Sequence, residues 1–340
     1  GTVADIVPLV GENRHLVSQG LERINELRRP GLQALIERAR LSGKPVNASH
    51  IGYILGPRLN AAGRIAAASL SYRLLTTPSV EEARRMAGQL EELNQERRIY
   101  TQDAFQEALA DLQERAAMSR PLLMVANDSF HPGIVGLVAS KLTETFYRPS
   151  VVVEMGDPYS KGSARSIPEF HITDALDRCA DLLVHHGGHA AAAGFTVSRE
   201  KLPELEERLL ALAEEALGQQ DLAPSLEVDA EIPIAEASWS TVELIGALQP
   251  FGEENPTPRF LSRDVDLRDA RPVGRDSRHL RVWLSHGQEV HQGIAFNLAH
   301  RATELAAKID VVYHLEVNEW NGESRVQLNL QDFRPSEGDG

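Results

Sequence analysis

The stretch PLLMVAND, residues 121–128, decides the fold. Leu122 to Ala126 are apolar without interruption, and Pro121 and Asn127-Asp128 close the run on either side. A run this short, apolar at every position, is what a strand covered on both faces requires. A helical pattern, Gly133–Phe146, follows it. Then come strand-like SVVVEM (150–155) and SKGSARSI (160–167), a helical stretch Ile172–Leu183, strand-like HHGGHAAAAGFTV (185–197) and a helix from Glu200 to Leu217. Strands alternating with helices predict an α/β unit built on a mixed or parallel sheet.

Upstream, Ser79 to about Ala117 carries a helical pattern with no Pro and one Gly. Ser79 is a good N-cap, with Glu81 and Glu82 in the first turn. Ala83, Met86, Leu90 and Leu93 recur at three and four, as one buried stripe requires. Unbroken, this helix would be about 60 Å long, enough to connect domains. Before it, Pro and Gly break three helical patterns, Asn13–Leu27, Gly31–Leu41 and Ser49–Leu55. TVADIVPL (2–9) reads as a strand end and loop. The chain has no initiating Met and opens inside that reading, so further residues are expected upstream.

Downstream, Asp221–Ser225, with Pro224, reads as a linker. Beyond it the pattern changes to short strands: LEVDAEI, RFLSRDVDL, LRVWLSH, EVHQGIAF, IDVVYHLEV and SRVQLNLQDF. The last two flank Asn321-Gly322, a strong hairpin signal. Such a set suggests a small Greek-key barrel of the OB type. The SEGDG tail reads as disordered.

The 340 residues suggest two or three domains; 42% hydrophobic and 25% charged is the balance of a soluble globular protein. No apolar run is long enough to span a membrane. Cys179, the one cysteine, excludes an intrachain disulfide and a cysteine metal site, and its apolar helical setting predicts a buried residue. A reducing, cytoplasmic compartment fits. The net charge of -14 argues against non-specific nucleic-acid binding on average, but not against a locally basic groove.

Three stretches carry chemistry. In HHGGHAAAAGF (185–195), Gly187 and Gly188 before His189 would let a backbone approach a ligand, with exposed N–H groups for a phosphate. The structural alternative is a glycine pair at a helix C-terminus, with His185 and His186 as helix-end residues. Lys161-Gly162-Ser163-Ala164-Arg165-Ser166 offers hydroxyl, amide and guanidinium donors within one turn, and Arg165 a bidentate fork for phosphate oxygens. The alternative is a solvated strand entry. In GPRLNAAGR (56–64), Arg58, Asn60 and Arg64 suit a polyanion equally with a plain inter-helix turn. Asn94, Gln95, Arg97 and Arg98 form a polar cluster of the kind that is usually a solvated helix face. Asp5, beside Thr2, could ligate a hard divalent metal, though turns and caps explain most such aspartates. Arg259–Arg281 holds seven arginines against four aspartates, a local balance of +3. With Phe260, Trp283 and Phe296 nearby it suggests a groove with stacking platforms, at least half of these aromatics serving the barrel core.

Together GTVADIVPL with GENR, GPRLNAAGR, HPGIVGLVASKL, KGSARSI, GGHAAAAGF, LQPFGEENPTPRF and the closing hairpin resemble the RecJ exonucleases of the DHH phosphoesterase superfamily, in the family's order and over nearly the whole chain. The resemblance implies four parts: the end of a DHH phosphoesterase domain (1–76), a long connecting helix (77–118), a mixed-sheet DHH-associated substrate-binding domain (119–220) and an OB-fold nucleic-acid-binding domain (221–340). It implies stepwise 5′→3′ removal of nucleotides from single-stranded DNA with two manganese or magnesium ions, in DNA repair and recombination. By resemblance Asp5 is the last metal-binding aspartate and a catalytic residue. His189 faces the scissile phosphate, Arg165 and Ser163 hold the terminal 5′ phosphate, Arg64 and Gln95 grip the incoming strand, and His131 with Gly133 shapes the channel wall. Lys161, Gly162, Ser166, Gly187 and Gly188 complete the expected binding set. Single-stranded DNA is the expected partner, with single-strand-binding protein, a helicase and a missing N-terminal half as further candidates. The chain contains no Asp-His-His motif. A two-metal site cannot be built from Asp5 alone, so the chain by itself is expected to be inactive. Two other readings stand beside this one: a DHH-type phosphodiesterase for short oligoribonucleotides or cyclic dinucleotides, and a non-catalytic single-strand-binding fragment.

Overall fold

The computed structural model describes residues 1–287, 289–320 and 322–336; of Trp320 it describes the backbone alone. The N-terminal third is helical: α1 Gly11–Asn25, α2 Pro30–Arg38, α3 Ala48–His50 running into a π-type turn Ile51–Leu55, α4 Gly56–Ile65, α5 Ser69–Thr76 and α6 Val80–Glu114. Next come β1 Leu123–Asn127, α7 Val135–Phe146, β2 Ser150–Glu154, β3 Tyr159–Arg165, α8 Ile172–Asp177, β4 Leu183–His189, β5 Ala192–Ser198 and α9 Leu202–Leu217. The remainder holds β6 Ala230–Glu231, α10 Trp239–Gly246, β7 Phe260–Val273, β8 His279–His286, β9 Glu289–Ala295, β10 Lys308–Trp320 and β11 Glu323–Pro335. The chain divides into two compact units. One comprises residues 24–46 and 50–224, the other 1–23, 47–49 and 225–340.

In the α/β unit, α2, α4 and α5 pack on the first half of α6 around Leu35, Leu55, Ala62, Leu74, Met86 and Leu90. The Ser79 hydroxyl accepts the Glu82 N–H and caps α6, which is about 52 Å long at 1.5 Å per residue. The sheet runs in the order β1-β2-β3-β5-β4; β1 and β2 are parallel and the other pairs antiparallel. Its two faces bury different residues. Leu122, Met124, Val151, Val153, Ala164, Phe195 and Val197 pack with α8 and α9. On the opposite face Leu123, Val125 and Val152 pack with α7 and the second half of α6, through Val138, Leu142, Phe105 and Leu112. This cover reaches β3 and stops. Along β4, His185, Gly187 and His189 are exposed, as is Gly194 of β5.

In the barrel unit, β7-β8-β9-β11-β10 closes through the β10–β7 pairing, and β6 adds to β7. Closure removes free edges, and inward residues fill the interior. Val265, Leu280, Val282, Leu284, Val311, Tyr313, Leu330 and Phe333 form that core, with the Tyr313 hydroxyl 2.9 Å from Ser262 Oγ.

Several expectations are corrected. The strand end expected in TVADIVPL does not form; residues 2–6 are a turn that leads into irregular chain. Among the described residues it gains no ladder partner, and its backbone is satisfied locally, Asp5 N–H to Gly1 O and Val7 N–H to Thr2 O. Leu9 is nevertheless buried, its N–H donating to Glu253 O at 2.7 Å. The helix expected over Ile172–Leu183 ends at Asp177, and a short 3-10 turn, Ala180–Leu182, leads directly into β4. His185 and His186 are therefore strand residues. Cys179 lies between α8 and that turn, and is buried. GPRLNAAGR is helix α4 rather than a turn, with Pro57 in the first turn where its missing N–H does no harm. Of LEVDAEI only Ala230–Glu231 pairs as a strand. β10 and β11 pair up to Trp320 and Glu323, while Asn321 of the expected turn and tail residues 337–340 lie outside the described residues. Among the described residues no helix is long and apolar enough to cross a membrane.

Candidate phosphate-binding site

Paired residues of antiparallel strands share a face, so the register lays out the site row by row. Lys161, Thr196 and His185 form one row, Ser163, Gly194 and Gly187 the next, and Arg165, Ala192 and His189 the third. The middle row is a floor. A methyl group at Gly187 would meet nothing within 4 Å, and one at Gly194 only Gly162 O at 3.9 Å. Neither has positive φ. Nothing in the fold demands glycine at these two positions, so the space above them is left for something else.

Gly162 and Gly188 differ. A Cβ at Gly162 would stand 2.1 Å from the Phe195 ring, and one at Gly188 would stand 2.2 Å from Ala192 O. Gly162 is buried on the opposite face. The structure does not bring Gly162 to the row of Ser163 and Arg165; it serves packing. Ser166 likewise ties the loop: its hydroxyl donates to Phe170 O at 2.6 Å and its N–H to Ala191 O. Lys161 is exposed, on the same face as Ser163 and Arg165. His189 is exposed at the end of β4, two strand spacings or about 10 Å across the sheet from Arg165. His186 Nε2 lies 2.7 Å from Asp177 Oδ1, and His185 Nε2 lies 3.1 Å from Thr196 Oγ1. β4 is the sheet edge, so the N–H groups of alternate residues face outward, one of the two adjacent glycines among them, from a strand and not from a helix-entry loop.

Beside this floor the chain gathers arginines. Arg165 Nη1 donates to Ser163 Oγ at 3.1 Å and to Ala164 O at 2.8 Å. Gly136, at the start of α7, closes over them; a Cβ there would lie 3.0 Å from Ser163 Oγ and 3.2 Å from Arg165 Nη2. Arg64, in the last turn of α4, donates from Nη1 to Gly133 O at 3.1 Å. His131 Nδ1 accepts the Gly133 N–H at 3.0 Å, which fixes the ring's tautomer, and the ring stacks on Tyr100 of α6 with centroids 6.3 Å apart. One turn earlier on α6, Arg97 Nη2 donates to Asn94 Oδ1 at 3.1 Å. Burial lowers all three guanidinium pKa values; Arg64 lowers those of Arg97 and Arg165 further, and Arg98 adds to the effect on Arg97. Each guanidinium is pinned by a neutral acceptor, and none of the three pairs with a carboxylate among the described residues. Three half-buried, unneutralised cations make an anion site.

The structure thus brings together Arg64, His131, Ser163, Arg165 and the Gly187 floor. Gln95 lies elsewhere, in a cavity of about 470 Å³ lined by Arg38, Arg40, Arg84 and Glu91. Arg97 and Asn94, read from sequence as part of a solvated helix face, belong to the cluster. Asn94 is 3% exposed, and a polar side chain buried on a helix is the signal that sequence periodicity could have given.

Asp5 is exposed. Among the described residues no group of three or more His, Cys, Asp and Glu could hold a metal. A lone exposed carboxylate does not fit a two-metal centre, which needs several oxygen ligands around each ion.

In the barrel, Arg268, Arg271, Trp283 and Val290 line an open cleft of about 640 Å³, and the Arg271 guanidinium lies 5.3 Å from the Trp283 ring centroid. Phe260 packs into the core against Tyr313, while Phe296 is exposed beside His279.

The sheet of the α/β unit and the barrel each match a family model: the DHHA1 domain over residues 120–218 and the RecJ OB domain over residues 228–332. The single-stranded-DNA-specific exonuclease RecJ of Bacillus subtilis is 35% identical over 99% of this chain and 43% of that protein. That of Escherichia coli is 36% identical over 98% of this chain and 60% of that protein. The chain thus carries a DHHA1 domain and a RecJ OB domain, and is similar to RecJ proteins over nearly all of its length. The crystal structure of RecJ in complex with Mn2+ from Thermus thermophilus superposes with a TM-score of 0.86 at 30% identity, covering 99% of this chain and 48% of that one. A second RecJ structure from the same organism is a complex with Mg2+, with a TM-score of 0.84. The chain therefore spans about half the length of the RecJ proteins it matches.

Proposed function

We propose that this chain is the strand-holding part of a RecJ-type enzyme that removes nucleotides from the 5′ end of single-stranded DNA, in repair and recombination. The observation that carries this reading is the set of arginines without carboxylate partners beside Ser163 and the bare Gly187–Gly194 floor. Ser163 and Arg165 take the terminal 5′ phosphate. The strand lies over the glycines with His189 at the edge facing the bond to be broken, and Arg64 and the His131–Gly133 turn form the wall. The relatives of known structure contain Mn2+ or Mg2+. Because the carboxylates among the described residues do not fit such a centre, the chain alone is expected to bind strands without cleaving them. Asp5 would be at most one ligand of a centre completed by other residues of the parent enzyme. Single-strand-binding protein, a helicase and the parent's phosphoesterase half are the expected partners, and the lone buried Cys179 suits a cytoplasmic setting.

The arginine- and tryptophan-lined cleft favours a long single strand over a dinucleotide substrate, since stacking and backbone charge act along several nucleotides. The test is Arg165→Ala, read by fluorescence anisotropy with 5′-phosphorylated and 5′-hydroxyl oligonucleotides. A loss of tenfold or more confined to the phosphorylated strand is expected. Equal losses on both would remove Arg165 from the terminal-phosphate role.

A further inference from the structure

His189 stands at the end of β4, and only Ala190 and Ala191 separate it from Ala192 of β5, with which it pairs. A two-residue connection that follows the twist of a hairpin needs positive φ at one or both central residues, which is why Gly, Asn and Asp dominate such turns. Neither alanine has positive φ, and neither carries a polar side chain to hold the turn. The shape of this turn is therefore set from outside it.

One segment supplies the outside contact. Successive carbonyls of the turn accept from donors in residues 166–173. Thr173 Oγ1 donates to His189 O at 2.8 Å, the Ile172 N–H to Ala190 O at 3.1 Å and the Ser166 N–H to Ala191 O at 2.9 Å. The segment is itself fixed. Ile167, Phe170 and Ile172 are buried in the core shared with α8 and α9. The Phe170 N–H donates to Ile167 O, and the Ser166 hydroxyl to Phe170 O. The segment begins directly after Arg165. Arg165 and His189 are thus joined twice, once through Ala192 in the sheet register and once through residues 166–173.

The donors at Ser166 and Ile172 are backbone N–H groups, which most residues supply. The remaining bond depends on a side chain, and it falls on the carbonyl of His189 itself. We propose that Thr173 is a positioning residue: by holding the His189 carbonyl it fixes where the imidazole stands relative to Arg165, and so which phosphate of a bound strand His189 meets. Thr173 acts through His189 and touches no substrate in this role. This rests on the reading of Arg165 as the terminal-phosphate site and of His189 as facing the next phosphate, the one to be cleaved.

The experiment uses the 340-residue chain with Thr173→Val, which keeps the shape and removes the hydroxyl, Thr173→Ser, which keeps the hydroxyl, and His189→Ala. Amide hydrogen exchange follows the Ser166 and Ile172 N–H groups, which donate into the turn. Calorimetry compares thymidine 5′-monophosphate with the 5′-phosphorylated dinucleotide pTpT, whose internucleotide phosphate is the one His189 would face. Thr173→Val should speed exchange at both amides. It should weaken pTpT about three- to tenfold, the range a neutral hydrogen bond supports, and leave the mononucleotide within about twofold. Thr173→Ser should restore both properties. Circular dichroism melts confirm that the variants fold. Unchanged exchange and unchanged pTpT affinity in Thr173→Val overturn the proposal, as does an equal loss on mononucleotide and dinucleotide. Faster exchange with pTpT unaffected also overturns it where His189→Ala weakens pTpT. If His189→Ala leaves pTpT as tightly bound as before, while Thr173→Val loosens the turn and Thr173→Ser restores it, the placing of His189 at the cleaved phosphate fails and the hold of Thr173 on His189 stands.

Discussion

Arg64 and Gly133 hold each other from both sides. The Arg64 guanidinium donates to the Gly133 carbonyl at 3.1 Å, and a methyl group on Gly133 would lie 1.9 Å from the Arg64 carbonyl oxygen. The backbone of α4 and the turn before α7 therefore touch with no room for a side chain, and this contact sets where Arg64 points. Gly133→Ala should force the two apart. Overpacking of this kind destabilises by about 1–3 kcal/mol, and oligonucleotide affinity should fall with it. A thermal melt and an anisotropy titration check this; unchanged values in both would show that the segments separate freely.

The four glycines of β3, β4 and β5 make opposite predictions. At Gly187 and Gly194 a Cβ meets open space, so alanine there should leave stability within about 0.5 kcal/mol or raise it slightly. If a strand lies over that floor, the same substitutions should lower its affinity, and Gly187→Val more than Gly187→Ala. Gly162→Ala and Gly188→Ala should instead destabilise, because the Phe195 ring and the Ala192 carbonyl occupy the space. Chemical denaturation of the four alanine variants separates the classes. A stability loss at Gly187 as large as that at Gly188 would mean that the floor is structural.

Much of this was legible in the sequence, and the boundary has a physical form. The apolar run at 122–126, bounded by Pro121 and Asn127-Asp128, has the pattern of a covered strand, and a period of two puts Ser163 and Arg165 on one face whatever the strand's neighbours are. What the sequence could not show depends on partners distant along the chain. Gly162 and Gly187 look alike in isolation, and only the register against β5 sends one toward Phe195 and leaves the other bare. TVADIVPL has the composition of a strand, yet among the described residues it joins no ladder and turns on itself. Arg97 sits in a polar run, and its place in the cluster follows from α4 and the turn before α7. Gln95, two residues away, is turned some 200° around α6 and so lines a different cavity.

In the barrel, the cleft beside Trp283 should hold a base. Stacking of a base on an aromatic ring is worth about 1–3 kcal/mol, so Trp283→Ala should weaken binding of a long oligonucleotide about tenfold and leave a dinucleotide unaffected. Arg271→Ala removes the cation over the same ring and should reduce the dependence of affinity on salt. Affinities for two-nucleotide and twenty-nucleotide strands at several salt concentrations test this. Equal loss on both lengths would place Trp283 in the fold rather than in the groove.

Asp310 gives the barrel an acid limit. Its carboxylate, 6% exposed, accepts the Asp264 N–H at 3.2 Å and the Ser336 hydroxyl at 2.9 Å, and pairs with Arg334 and Arg263. Burial opposes its ionisation, but these donors outweigh burial and hold its pKa below the ordinary aspartate value. A carboxylate depressed in the folded state contributes stability that is present above the unfolded pKa, about 3.9, and lost as the pH falls through the lower folded value. Stability of the barrel should therefore hold through mild acid and decline below the usual carboxylate range. Asp310→Asn keeps the shape, removes the charge and leaves Arg334 without its partner. It should lower stability at neutral pH by about 1–3 kcal/mol and make the acid decline shallower. Melting curves from pH 7 downward decide this, and an acid limb equally steep in the variant would assign the decline to other carboxylates.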